Sequence, residues 1–182
     1  MVDAARIAGR TLLARADAGP QIGYGHVARL ESILDAWTER GGRAILRGAG
    51  IGGSIRARLL AADVEIVDIE RPVLPVGTAP EDAVSATEAD LADTVALGRT
   101  RGAVAAIIDG YSFGAEYRAG LSAAIPTLAL DDLAAFECRA DVILNQNMGF
   151  DPARYRTASG VALLVGHEYV VLRREFRRAS EA

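Results

Sequence analysis

Short aliphatic runs alternate along this chain with longer amphipathic segments, and that rhythm restricts the fold more than any other feature. Thr11–Arg15 (TLLAR) reads as a strand. Apolar residues then recur at helical spacing over 27–40, at Val27, Leu30, Ile33, Leu34 and Trp37, which predicts an amphipathic helix. Residues 43–47 and 64–69 read as strands on either side of a short helix at 54–61. A connection containing Pro and Gly, 71–80, breaks the rhythm. A helix over 81–101 follows, with Glu81 and Asp82 in its first turn, where acids suit the positive end of a helix dipole. Beyond it lie a strand at 104–109, a helix at 116–124 and a strand at 127–131. Two further short strands, 142–144 and 161–165, enclose a loop or single turn at 151–156.

Apolar strands alternating with helices imply an α/β fold: a Rossmann-like parallel sheet with helices on both faces. Ligands of such sheets bind beyond the carboxyl ends of the strands. Candidate functional residues should therefore follow the strands. Three clusters do: 17–26, 109–111 and 131–132.

Composition narrows the chemistry. The chain has 182 residues and a net charge of -4, which suits one compact domain and argues against a general nucleic-acid binder. All 20 basic residues are arginine, which removes Schiff-base lysines and a Walker-type lysine. The single cysteine, Cys138, permits no internal disulfide and no multi-cysteine metal site, and reads as a small core residue. No apolar run approaches membrane-span length, so no membrane partner is expected. The first residues lack a secretory apolar run, which makes a cytoplasmic location the expectation.

The first cluster joins strand to helix through Arg15, Asp17, Gln21, Gly23, Tyr24, Gly25 and His26. Its glycines let the backbone turn tightly and approach a ligand. His26 falls at or near a helix N-terminus, whose positive end favours a neutral imidazole able to act as a base. The plain alternative is a surface histidine capping a helix. In the second cluster Asp109 ends a strand and Tyr111 stands beyond it. They read equally as a helix cap with a loop aromatic, or as ligands of a substrate hydroxyl or phosphate. In the third, Asp131 and Asp132 point apart if extended. Asn145 and Asn147 share a face if their strand continues, and paired amides suit sugar hydroxyls or acetamido groups. Turn-forming Asn and Asp are the alternative. His167 follows a strand without a glycine cradle and reads as structural. The arginine-rich 173–178 reads as a solvated helix face or connector.

A rival signal is Gly48-Ala-Gly50-Ile-Gly-Gly53, which satisfies the dinucleotide pattern G-x-G-x-x-G after a strand, with Asp68 and Glu70 about 20 residues on. It would make the chain an NAD(P)-binding oxidoreductase domain. Glycines needed only for a turn are the plain reading.

Taken together, R-x-D at Arg15 and Asp17, Q-I-G-x-G-H at 21–26 with Arg29, I-I-D-x-Y at 107–111, Asp131-Asp132, C-x-x-D-x-x-L-N-x-N ending at Asn147, and G-x-x-Y-x-x-L-R-x-E-F at 166–176 follow one order. In that order they resemble the UDP-2,4-diacetamido-2,4,6-trideoxy-β-L-altropyranose hydrolases of pseudaminic acid biosynthesis, over about residues 10 to 177. The resemblance implies the N-terminal, sugar-side catalytic half of a glycosyltransferase-B-like fold, as one domain over 1–182. The family's C-terminal UDP-binding domain would lie outside the chain. It implies anomeric C–O hydrolysis of a UDP-sugar, with no cofactor and no metal. His26 would activate water, and Tyr111 would help position water or substrate. Arg15, Asp17, Gly23, Tyr24, Gly25, Asp109, Asp132, Asn145 and Asn147 would shape or bind the substrate. The missing half, or self-association, would supply a docking partner. A non-catalytic relative of the same fold is the remaining alternative.

Overall fold

The computed structural model describes residues 6–20, 22–70 and 80–180, with only the backbone for 80–87, 178 and 180. Gln21, the 71–79 connection and the side chains of Glu81 and Asp82 lie outside the described residues.

The strands are β1 (Thr11–Arg15), β2 (Arg43–Gly48), β3 (Val64–Asp68), β4 (Ala103–Asp109), β5 (Thr127–Leu130), β6 (Val142–Asn145) and β7 (Ala162–Val165). The helices are α1 (Gly25–Thr38), α2 (Gly53–Ala61), α3 (Pro80–Thr100), α4 (Ala115–Ala124) and α5 (Arg174–Ser180). All pairings between these strands are parallel, in the order β3-β2-β1-β4-β5-β6-β7. The order reverses direction between β1 and β4, and this places a crevice at their carboxyl ends.

Side-chain alternation along the strands divides the core. Leu12, Ala14, Ala44, Leu46 and Ile107 pack against Val27, Leu30 and Leu34 of α1 and Ile55 and Leu59 of α2. Leu13, Ile45, Ala106 and Ile108 pack on the other face against Tyr117 and Leu121 of α4 and Leu91 and Val95 of α3. The fold is therefore a doubly wound, Rossmann-like parallel sheet covered on both faces, as the sequence rhythm predicts. Cys138, fully buried with Ile143 and Tyr155, occupies a third small core cluster beside β6.

Two arginines sit inside this core. Arg15 and Arg47 occupy the same register on neighbouring strands, so their side chains emerge side by side on the α3–α4 face. Asp90 of α3 lies between them. It accepts from Arg15 Nε at 2.9 Å, from Arg47 Nη1, and from Tyr117 Oη at 2.7 Å. Thr94 completes the set, within 2.9 Å of Arg47 Nη1 and 3.0 Å of Tyr117 Oη. All five residues are buried, so this polar network is tolerated because its members satisfy one another. Among the described residues, no helix is long and apolar enough to cross a membrane.

Candidate active site

His26 is the second residue of α1, which begins at Gly25 without a side-chain cap and without an acid in its first turn. The preceding loop is closed by a reciprocal backbone pair, Gly23 N to Gly19 O at 2.8 Å and Gly19 N to Gly23 O at 3.2 Å. That closure needs Gly23 at φ 79°, a left-handed conformation costly for other residues. The loop delivers His26 into the crevice between β1 and β4.

There its Nδ1 lies 2.8 Å from Oδ1 of Asp109, the last residue of β4. Asp109 is 1% exposed. An ionised carboxylate only accepts, so Nδ1 carries the proton and donates it. Nε2 is then the atom with the free lone pair. It has no hydrogen-bond partner among the described residues, and His26 as a whole is buried, 8% exposed. Asp109 therefore caps no helix. It orients an imidazole whose basic nitrogen is unpartnered. Tyr111, 65% exposed, meets the His26 ring edge to face at 4.8 Å between centroids.

Arg29, one turn along α1 and on the same face as His26, completes the cluster. Its Nε donates to Asp109 Oδ2 at 2.9 Å and its Nη2 to Asp109 Oδ1 at 2.8 Å. Its Nη1 reaches Asp132 Oδ1 at 2.8 Å and Oδ2 at 2.7 Å. Asn147 Nδ2 donates to Asp132 Oδ1 at 3.1 Å. The burial of Arg29 opposes its charge, but Asp109 and Asp132 outweigh that and hold its pKa above the ordinary value. The sequence reading placed Arg29 only inside a motif. The signal for more was its spacing of three from His26 on one helix.

The residues expected at the site divide into three groups. His26, Tyr111, Asp109, Asp132 and Asn147 come together. Tyr24 caps the backbone of α1 and is about half exposed, and Gly25 faces open space. Arg15, Asp17 and Asn145 are occupied elsewhere. The guanidinium of Arg15 serves Asp17 and Asp90 and lies over the Phe113 ring, inside the core. Asp17 takes both of its bonds from Arg15 with one oxygen each, and a further one from Ala49 N at 2.8 Å, tying two loops together. Asn145 is fully buried. It donates to Tyr155 Oη at 3.0 Å and accepts from Asn147 N at 2.9 Å. The expectation that Asn145 and Asn147 share a strand face is corrected, because β6 ends at Asn145 and the chain turns there. Asp131 and Asp132 do diverge: Asp131 binds Arg118 at 2.6 Å, and Asp132 binds Arg29. His167, read as structural, is exposed at the start of a 3-10 turn.

The glycines of 48–53 have a different explanation from the dinucleotide pattern. A Cβ on Gly48 would stand 1.9 Å from Ala16 O, and one on Gly50 would stand 2.0 Å from Ala18 O. The space a pyrophosphate would approach is filled by the loop after β1, which donates Ala18 N to Ala49 O at 2.9 Å. Asp68, the expected ribose ligand, is paired in both oxygens with Arg56. Gly48→Ala should cost about 2–3 kcal/mol, since the clash is with backbone that cannot rotate away. A lowered urea midpoint checks this, and addition of NAD should leave the midpoint of the unsubstituted chain unmoved.

The geometry defines a doubly wound α/β domain with a His–Asp–Arg cluster at its topological switch point. No family model and no curated protein matches the chain. Among solved structures, it is similar to MurG of Acinetobacter baumannii, at 17% identity over 81% of this chain and 44% of that one, with a TM-score of 0.49. A glycosyltransferase from Rickettsia africae ESF-5 aligns at 10% identity over 68% of this chain and 30% of that one, with a TM-score of 0.46. The glycosyltransferase of kitacinnamycin aligns at 17% identity over 68% and 30%, with a TM-score of 0.48. The chain spans less than half the length of each of these proteins.

Proposed function

We propose that this chain is the sugar-side catalytic half of a nucleotide-sugar hydrolase, acting on a UDP-linked diacetamido-trideoxy sugar of nonulosonic acid synthesis. The observation that carries the proposal is His26 at the switch point, held through Nδ1 by buried Asp109 with Nε2 unpartnered among the described residues. The order of motifs around it supplies the substrate class.

In this reading a water hydrogen-bonds to Nε2 and gives up its proton as its oxygen bonds to the anomeric carbon. The C–O bond to UDP breaks, and the nucleotide leaves with the electron pair. Asp109 faces the imidazolium that forms, so the positive charge arises beside a fixed negative one. Tyr111 borders the position of the water through its edge contact with the ring. UDP is already a good leaving group, so orienting and deprotonating water are the main tasks. The second, nucleotide-binding half would supply the UDP contacts.

UDP release from the diacetamido UDP-sugar tests the proposal, with this chain, any longer natural form of it, and the His26→Ala variant of each. Turnover that falls about 100- to 10,000-fold with alanine at position 26 supports it. Unchanged turnover in that variant refutes it.

A further inference from the structure

We propose that Arg29 is a positioning residue that keeps Nε2 of His26 free of a proton by neutralising Asp109 from the side away from the ring. The catalytic consequence rests on the reading of His26 as the base. The effect on the ring does not.

Two features set Arg29 apart from a substrate ligand. First, each of its nitrogens is engaged by a carboxylate of the cluster. A guanidinium has five N–H groups in a fixed fork. Nε and Nη2 donate to the two oxygens of Asp109 and Nη1 donates to Asp132, at 2.7 to 2.9 Å, so all three nitrogens are already engaged within the cluster. Second, its contacts brace the dyad. Oδ1 of Asp109 receives both His26 Nδ1 and Arg29 Nη2, while Oδ2 is held by Arg29 Nε. The carboxylate plane is thereby fixed at both oxygens. Asp132 fixes the far side of the fork and is itself held by Asn147. The brace runs from α1 across the ends of β4, β5 and β6.

The charge count explains the need for it. The groups facing His26 and Arg29 are Asp109 from β4, Asp132 after β5, and the neutral phenol of Tyr111 and amide of Asn147. With Arg29 present and the imidazole neutral, the cluster carries one negative charge. Proton abstraction from water brings it to zero. Without Arg29, the ring would face two carboxylates and no cation. Asp109, buried and with Oδ2 unpartnered, would be compensated by the imidazole alone. The ring would then take a proton at Nε2, the atom that has to be bare.

The chain contains only 2 histidines, so nitrogen-15 spectra of its imidazoles are simple to assign, and exposed His167 serves as an internal reference. At neutral pH the unsubstituted chain should show His26 with Nδ1 protonated and Nε2 bare. Arg29→Met should show both nitrogens protonated. UDP release in the natural enzyme should fall about tenfold or more at neutral pH and recover as pH rises. Arg29→Lys, which keeps the charge but loses the fork, should restore the bare Nε2 and recover most of kcat, with KM unchanged in both variants. This variant also guards against a folding defect in Arg29→Met. A bare Nε2 in Arg29→Met, with the fold intact, overturns the proposal even if His26→Ala is inactive. If His26→Ala stays active while Arg29→Met protonates Nε2, the brace stands and the catalytic reading falls.

Discussion

Asp90→Ala should destabilise the domain by about 3–5 kcal/mol. The reason is asymmetry. Removing the carboxylate leaves Arg15 and Arg47, both buried and adjacent in register, with mutual repulsion and fewer acceptors. Arg15 keeps Asp17 and Arg47 keeps the more exposed Asp93 at 3.3 Å, and this limits the loss without cancelling it. Tyr117→Phe removes one hydrogen bond to the same carboxylate and should cost only about 1 kcal/mol. For a domain of this size, Asp90→Ala should lower the thermal midpoint by about 10 °C. The pH dependence gives a second check. Burial pushes the Asp90 carboxyl up, but Arg15, Tyr117 and Arg47 outweigh it, so its pKa in the fold lies below the ordinary value. The unfolded chain therefore binds that proton first as pH falls. Asp90 stabilises fully above the ordinary carboxyl range, and its contribution is lost as pH falls through the lower, folded value. The gap in stability between the unsubstituted chain and Asp90→Ala should close in acid. A gap that stays constant down to acid unfolding would show that folding does not shift the Asp90 carboxyl from its ordinary value.

That network also shows where sequence reading stopped. Strand β1 was legible to the residue because TLLAR is bounded and aliphatic, and β2 to β5 were legible within a residue or two for the same reason. The helices followed from their spacing. Asp90 was not legible, because on a helix rich in acids nothing marks one of them as buried. Yet a trace was present. Two predicted strands, 11–15 and 43–47, each end in arginine, and parallel pairing sets those ends side by side. Two buried cations in register require an anion from the covering helix. The same reasoning applied to 26–29 would have raised Arg29. The Asn145 and Asn147 expectation failed for the opposite reason. It assumed two more residues of strand, where the side chain of Asn145 instead turns back to accept from the backbone of Asn147. The glycines of 48–53 matched a motif because the pattern specifies where backbone approaches closely. It does not specify what approaches, and here it is the neighbouring loop.

Under the proposed hydrolysis, Asp109→Asn should reduce turnover about 100- to 10,000-fold while leaving the fold intact, a loss close to that of His26→Ala. The substitution keeps the shape and removes one acceptor, and the surroundings leave the amide no good orientation. Arg29 donates to both oxygens of Asp109, through Nε to one and Nη2 to the other. An asparagine that keeps its oxygen toward His26 sets its amide hydrogens against Arg29 Nε. Flipped, it meets Nε well but turns the amide hydrogens toward Nη2 and the ring. His26 then accepts at Nδ1 and carries its proton on Nε2, the tautomer that cannot take a proton from water. Either arrangement weakens the base, and neither touches the hydrophobic clusters. Because His26 and Asp109 act as one unit, the double variant should be little worse than either single one. UDP-release rates of this chain, any longer natural form of it, and the three variants check this. Multiplying losses in the double variant would mean that Asp109 acts on the substrate directly and not through the imidazole.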